Sequence, residues 1–347
     1  PVLAPLVAAY RKDNPDGVFV SEDAVTTFTP QDGIAEVLFT MGNVVHSAGV
    51  AQDAIIYLHL AHYLKPKFPL VSLSLGDAYS DLKQYDRANA FYGKLDPKSP
   101  LYGKAHLRMA INQNQAGKFN EALSILDALS RTLPQQYESW VIKGDLLRSH
   151  FKFKEAADAY TQALKRVPEP KAYHWPIYFA RGVCLERLGK WKAAEADMQQ
   201  ALALKPEQPD VLNYLGYTWL MQRENVEEAR AMIEKAASQR PNDPQIMDSM
   251  GWALYSLGRY DESLAYLEKA LELLPGDPII NDHLGDAYWQ LGRHMEARFQ
   301  WERSLTFAPQ AEEAAIIRLK LKEGLPEVPR GKAPVVAEGV RSDVSLP

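Results

Sequence analysis

Apolar side chains along most of this chain recur at steps of three and four residues, the spacing of one face of an α-helix. The stretch "DSMGWALYSLGRYDESLAYLEKALELLPGDP", residues 248–278, holds two such stripes separated by a Gly-containing charged turn and closed by Pro275. The next stretch, "NDHLGDAYWQLGRHMEARFQWERSLTFAPQ", repeats the arrangement with different residues. Each predicts one amphipathic helix, a tight turn, a second amphipathic helix and a stop.

With Gly251 as a ruler, the same position is held by Gly42, Gly76, Ala110, Gly144, Gly182, Gly216, Gly251 and Gly285, at spacings of 34, 34, 34, 38, 34, 35 and 34. Twelve or thirteen residues after each lies a small residue, from Ala54 to Ala297, with Ser263 as the variant. Four further on lies a bulky one, such as Leu58, Tyr92, Tyr160, Leu267 or Trp301. A proline closes every unit, from Pro66 to Pro309, and eight prolines in one phase out of 23 in the chain make the repeat real. The small residues let two helix backbones approach, the bulky one fills the seam, and proline cannot continue a helix. Asp243 and Asp277, each followed by proline, read as N-caps. A unit of this kind buries its apolar surface only by stacking on a neighbour.

The pattern resembles the tetratricopeptide repeat, a 34-residue helix–turn–helix unit with small residues at these places and a closing proline. Trp140 and Gly144 match the opening of that signature, whereas Lys143 stands for its Leu and Ala110 for its Gly. The resemblance implies an all-α fold, a right-handed superhelix (α-solenoid) of about eight repeats over residues 32–310, with the first helix of each unit lining the concave side. The helix predicted in "AEEAAIIRLKLKEG" (311–322) serves as a C-terminal cap, and 323–347, punctuated by Pro and Gly, reads as a flexible tail. Residues 1–15 read as the remnant helix of an upstream repeat and 16–31 as an extended linker rich in β-branched and turn residues. Four extra residues before Gly182 lengthen an inter-repeat loop in which Pro176 opens the delayed helix, and one extra residue in "MQRENVEEAR" falls in a turn.

Net charge −5 and a pI near 6.0 argue against a nucleic-acid or anionic-membrane binder. No apolar run is long enough to form a transmembrane segment. The single cysteine, Cys184, excludes an internal disulfide and a cysteine-based zinc site and reads as a buried thiol. His59 and His62 share a helix face but lack a carboxylate or cysteine ligand nearby, so they read as helix surface, and His174 reads as a loop or packing residue. No nucleophile elbow, Walker loop or dinucleotide fingerprint appears, and neither an enzyme nor a cofactor is expected.

In the family, the first-helix positions three before, one after and four after the Gly face the ligand. The last three repeats place Asn213, Tyr217 and Leu220, then Asp248, Trp252 and Tyr255, then Asp282, Asp286 and Trp289 there. Two readings stand for this set. The aromatics pack helix on helix, with the polar groups solvated or capping neighbours. Alternatively the set is a concave groove whose Asn/Asp ladder bonds a peptide backbone, with an acidic bias toward Lys, Arg or a free amine. The basic pair of the chaperone-tail clamps is missing: Phe39/Asn43, Leu73/Asp77 and Leu107/Ile111 stand in its place.

The phrases "QPDVLNYLGYTWL", "DSMGWALYSLGRYDESLAYLEKA" and "NDHLGDAYWQLGRHMEARFQWERSL" further resemble bacterial cell-envelope members of the family. That resemblance implies a scaffold or adaptor for a protein or peptide partner, of the kind that serves a carboxyl-terminal processing protease or a cell-wall hydrolase. The setting it implies is periplasmic or outer-membrane-associated, with the cytoplasm as the alternative. The substrate-recognition region of a larger enzyme, such as an O-linked sugar transferase, is a second expectation, and self-association through the N-terminal edge a third.

Overall fold

Proline sets where many of the helices begin as well as where they end. Pro30, Pro69, Pro176, Pro209, Pro244 and Pro278 each occupy the first turn of a first helix, where a missing N–H is no loss. Asp243 accepts from the backbone N–H groups of Gln245 and Ile246 at 3.1 and 3.2 Å, and Asp277 from those of Ile279 and Ile280 at 2.8 and 3.0 Å. Both are the caps expected from sequence. At the first helix Thr29 and Asp32 form a reciprocal capping box.

The structure, a computed structural model, describes residues 29–326. The expected helix at 1–15, nearly all of the 16–31 linker and all but four residues of the 323–347 tail lie outside them. The described residues are all-α, with seventeen α-helices and no strand. They fall into two compact units that meet between His150 and Phe151. The first unit holds α1 (Pro30–Ser47), α2 (Ala51–Leu64), α3 (Pro69–Asp81), α4 (Tyr85–Tyr92), α5 (Tyr102–Gln115), α6 (Phe119–Thr132) and α7 (Glu138–Ser149). The second opens with α8 (Phe153–Leu164), a 3-10 turn (Ala172–His174), α9 (Trp175–Arg187), α10 (Trp191–Leu204) and α11 (Pro209–Met221). It continues with α12 (Val226–Gln239), α13 (Pro244–Ser256), α14 (Tyr260–Leu273), α15 (Pro278–Gln290), α16 (His294–Thr306) and the capping helix α17 (Ala311–Glu323). Within each unit every helix packs on its sequence neighbours, which makes each a solenoid stack.

The seam inside a hairpin explains the small residues. A Cβ built on Gly285 would lie 2.5 Å from the indole of Trp301, and one on Gly76 only 2.2 Å from the ring of Tyr92. The bulky residue sixteen after the ruler therefore sits directly on the glycine, and Trp301 and Tyr92 are accordingly buried. Ser263 replaces alanine without harm, because its Oγ donates to the Gly251 carbonyl at 2.7 Å. The turns between paired helices use a left-handed residue: Gly258 at φ 74° in the seventh repeat, and Arg223 and Asn225 at φ 56° and 45° where the sixth carries its extra residue. The lengthened connection before α9 contains the 3-10 turn, next to which the Nδ1 of His174 accepts from the Lys171 N–H at 2.9 Å.

Candidate functional site

Helices α11, α13 and α15 hold the nine residues that the sequence places on the inner face, and their surroundings are now explicit. The residue three before each glycine reaches the residue two before the glycine of the next repeat. Asn213 Nδ2 donates to Ser249 Oγ at 3.2 Å, and His283 Nδ1 lies 3.0 Å from both carboxylate oxygens of Asp248. Asp282, in the last repeat, has the capping helix for a neighbour, and Lys320 Nζ donates to both its oxygens at 2.8 Å. The Asn/Asp ladder is thus a row of rungs between successive layers. The aromatics join it: His283 stacks on Trp252 at 3.9 Å, and Trp252 on Tyr255 at 4.7 Å.

Seven of the nine, Asn213, Tyr217, Leu220, Asp248, Trp252, Tyr255 and Asp286, are buried. Asp282 and Trp289 keep part of their surface, and Trp289 is itself overlaid by the chain that leaves α17. Its indole N–H donates to the Leu325 carbonyl at 2.9 Å, and Gln290 Nε2 donates to that of Pro326 at 3.1 Å. Gly324, at φ 75°, makes this possible, since a Cβ there would lie 2.1 Å from the Trp289 ring. Packing of these aromatics helix on helix therefore accounts for the geometry of the second unit. Lys320 of the capping helix lies between Asp282 and Asp286.

A second motif repeats one position after the glycine. Asp286 accepts from the Trp301 indole at 2.8 Å and pairs with Lys320 at 2.8 Å. In the first unit Asp77 accepts from the Tyr92 hydroxyl at 2.6 Å and pairs with Arg108 of the following first helix. In both hairpins a carboxylate ties the seam aromatic to a cation from the next layer. Burial pushes the Asp286 carboxyl up to about 6, with Lys320 pulling against it and Asp282 adding to it. Lys320 is raised above the ordinary lysine value: burial opposes the ammonium, and Asp282 and Asp286 outweigh it.

His283 is also raised. Burial disfavours its imidazolium, but Asp248, with Asp282 and Asp286 behind it, wins. A histidine whose folded pKa exceeds the unfolded one contributes stability that is full below about 6.5 and is lost as pH rises through the folded value. The urea midpoint of the second unit is therefore expected to fall as pH rises from about 6 to 8. The fall should shrink in His283→Gln, with the remainder near pH 6 coming from Asp286, and a midpoint flat over that window in the wild type would contradict the pairing.

The first unit is different. Leu107, Ile111 and Asn114 on α5, and Val141 on α7, keep part of their surface, as do Phe39 and Asn43 on α1. Asn43 Oδ1 accepts from Ser74 at 2.9 Å, but the Asn114 Oδ1, itself covered, has no hydrogen-bond partner. In the second unit Asn213 also leaves Oδ1 unpaired, but in a side chain only 5% exposed between buried neighbours. Sequence reasoning missed His283 and Lys320 as partners, and the visible signals were a polar residue beside each ladder position and a lysine within the apolar cap.

His59 and His62 share a face, as expected, and pack edge-on against Phe91 at 5.6 and 5.7 Å. His59 also lies 2.8 Å from the Tyr79 hydroxyl, and burial lowers both imidazoles. Among the described residues no group of three or more His, Cys, Asp or Glu side chains is placed to hold a metal ion. Cys184 is buried. No described helix is long and apolar enough to cross a membrane.

Stacked helix–turn–helix units, with a glycine seam, a phased proline and layer-to-layer rungs, define a helical-repeat protein of the α-solenoid class. The tetratricopeptide repeat profile matches residues 107–169, 144–209, 179–244 and 249–312, more than half of the chain, and the chain belongs to that family. A TPR repeat-containing protein of Pseudomonas aeruginosa, PA4667, is 29% identical over 187 residues, 54% of this chain and 31% of its own length. The chain thus spans about a third of that curated relative. A chain of the APC/C hetero-tetramer Cut9–Hcn1 superposes with a TM-score of 0.58 at 18% identity, covering 88% of this chain and 58% of that one. A tetratricopeptide repeat protein of Parabacteroides merdae gives 0.51 at 16% identity, covering 84% and 98%. At these identities the likeness speaks for the fold alone.

Proposed function

We propose that this chain is a non-enzymatic scaffold that binds a protein partner along the first helices of its N-terminal unit. The observation that carries the reading is the inner face of α5. Leu107, Ile111 and Asn114 stand at i, i+4 and i+7, partly exposed, and the Asn114 carbonyl is unpartnered. An extended peptide laid there would rest side chains on Leu107 and Ile111. The nine residues of α11, α13 and α15 would then stiffen the second unit, with the half-open Asp282 and Trp289 at the end of that row.

The resemblance of the last three repeats to bacterial cell-envelope members of the family is the ground for a periplasmic or outer-membrane setting. The same resemblance is the ground for a carboxyl-terminal processing protease or a cell-wall hydrolase as the partner class. Leu107→Glu combined with Ile111→Glu is expected to weaken capture of a purified partner of that class roughly tenfold or more while leaving helix content unchanged. Asp248→Ala with Trp252→Ala is expected to lower the unfolding midpoint instead. Undiminished capture by the α5 variant would remove the proposal.

A further inference from the structure

Seven residues after each ruler position the backbone turns left-handed, and five of the eight repeats place glycine there: Gly49, Gly117, Gly189, Gly258 and Gly292. Lys83 and Arg223 fill the position in two others. In the fourth repeat it is Phe151, at φ 58° and 76% exposed, its ring edge-on to Phe153 at 6.2 Å. A left-handed backbone strains a residue that carries a Cβ, and an aromatic ring left in water gains no burial in return. Lysines flank this ring. Lys152, Phe153 and Lys154 open α8, and Lys190, Trp191 and Lys192 open α10 at the same three places after the ruler. All four lysines are exposed. The last of the three places holds Asp86 in the second repeat and Asp261 in the seventh, the sign that the first turn of a helix favours, so Lys154 and Lys192 add nothing to helix stability. No acidic residue falls within 151–154 or 189–194; Glu155 follows the first group, and Glu195 accepts from the Trp219 indole at 2.7 Å.

We propose that this edge of the second unit is a further docking surface, on which Phe151 and the lysines 152, 154, 190 and 192 take an acidic protein segment carrying an aromatic or large aliphatic side chain. Helices α8 and α10 are the second helices of consecutive hairpins, so their first residues share one edge of the stack. The partner's apolar side chain covers the open ring of Phe151, and its carboxylates pair with the ammonium groups around it. The sign of the charge selects the occupant. A long polyanion or an anionic membrane fits less well, because the chain carries a net charge of −5 and the exposed Glu155 and Asp158 stand beside the lysines. This surface is independent of the inner face of α5, which lies in the first unit.

Peptide selection on the intact chain tests the assignment. Random peptides displayed on phage are selected, and each recovered peptide is measured against Phe151→Gly, against Lys154→Glu with Lys192→Glu, and against Leu107→Glu with Ile111→Glu. A set of peptides rich in Asp and Glu and carrying Phe, Trp or Leu should lose affinity at least about tenfold in the first two variants and keep it in the third. Absence of any such set, or a set dependent on these residues but without acidic side chains, would overturn the proposal. Stability separates docking from packing. Glycine is the residue this turn favours, so Phe151→Gly should unfold at a urea concentration no lower than the wild type. A lower midpoint would make Phe151 a packing residue and overturn the proposal. Single-stranded oligonucleotides and phosphatidylglycerol vesicles complete the comparison: either one binding more tightly than the peptides, and released by the same two variants, would assign the edge to another class of partner and overturn it as well.

Discussion

Replacing Lys320 with methionine is expected to destabilise the C-terminal end of the stack by about 3–5 kcal/mol at pH 8. The ammonium lies 2.8 Å from Asp282 and from Asp286, in a side chain 11% exposed, against carboxylates 16 and 5% exposed. Removing it leaves two like charges facing each other out of water. A tenfold change in an equilibrium corresponds to about 1.4 kcal/mol, so amides of α16 and α17 should exchange roughly a hundred- to a few thousandfold faster. The pH dependence fixes the cause. Asp286 already titrates near 6 because of burial, and loss of Lys320 moves it further up. A carboxyl with a raised folded pKa destabilises as pH climbs past the unfolded value toward the folded one, so the penalty should shrink by pH 5. Adding Asp282→Asn and Asp286→Asn to the methionine variant should restore most of the loss, since no buried charge then remains unpaired. A variant as stable as the wild type at pH 8 would mean that the cluster locks nothing.

Trp301→Ala is the second large effect, with an expected loss of about 3–5 kcal/mol. The indole is 0% exposed, fills the seam over Gly285 and donates to Asp286 at 2.8 Å. Truncation therefore opens a cavity and removes one bond from a buried carboxylate. Trp301→Phe separates these contributions, keeping most of the volume and losing the donor, for about 1–3 kcal/mol. Coupling to the glycine is a stricter check. Gly285→Ala alone forces a Cβ to within 2.5 Å of the indole, and it should destabilise far less when Trp301 is already alanine. Urea unfolding of the four combinations gives the interaction, and additive losses would show that the two residues do not share the seam.

The hairpins were legible in the sequence because their determinants are local and few. Glycine or alanine, a bulky residue sixteen later and a phased proline each act within one unit, and Asp243 and Asp277 announce their helices within three residues. The ladder of Asn213, Asp248 and Asp282 was legible as a set in register, but its chemistry was not. What each residue touches depends on how far the next first helix is displaced along its neighbour, which periodicity does not specify. The displacement proves to be one position: Asn213 meets Ser249, and Asp248 meets His283. Lys320 was hidden for a related reason, since a helix read as a mere cover supplies the last rung. The contrast in burial between units was invisible as well. The sequence shows aliphatic Leu107 and Ile111 where the later repeats carry Asp248 and Trp252, but only packing decides that Trp252 is enclosed while Leu107 and Ile111 stay partly open.

The proposed division between a gripping first unit and a stiff second one meets its most direct test in site-specific photocrosslinking to the bound partner. A photoreactive amino acid is placed at Ile111 in one sample of the intact chain and at Trp289, the more open end of the row in the second unit, in another. Strong crosslinking from position 111 and little from 289 is the predicted result. Strong crosslinking from 289 with none from 111 would contradict it.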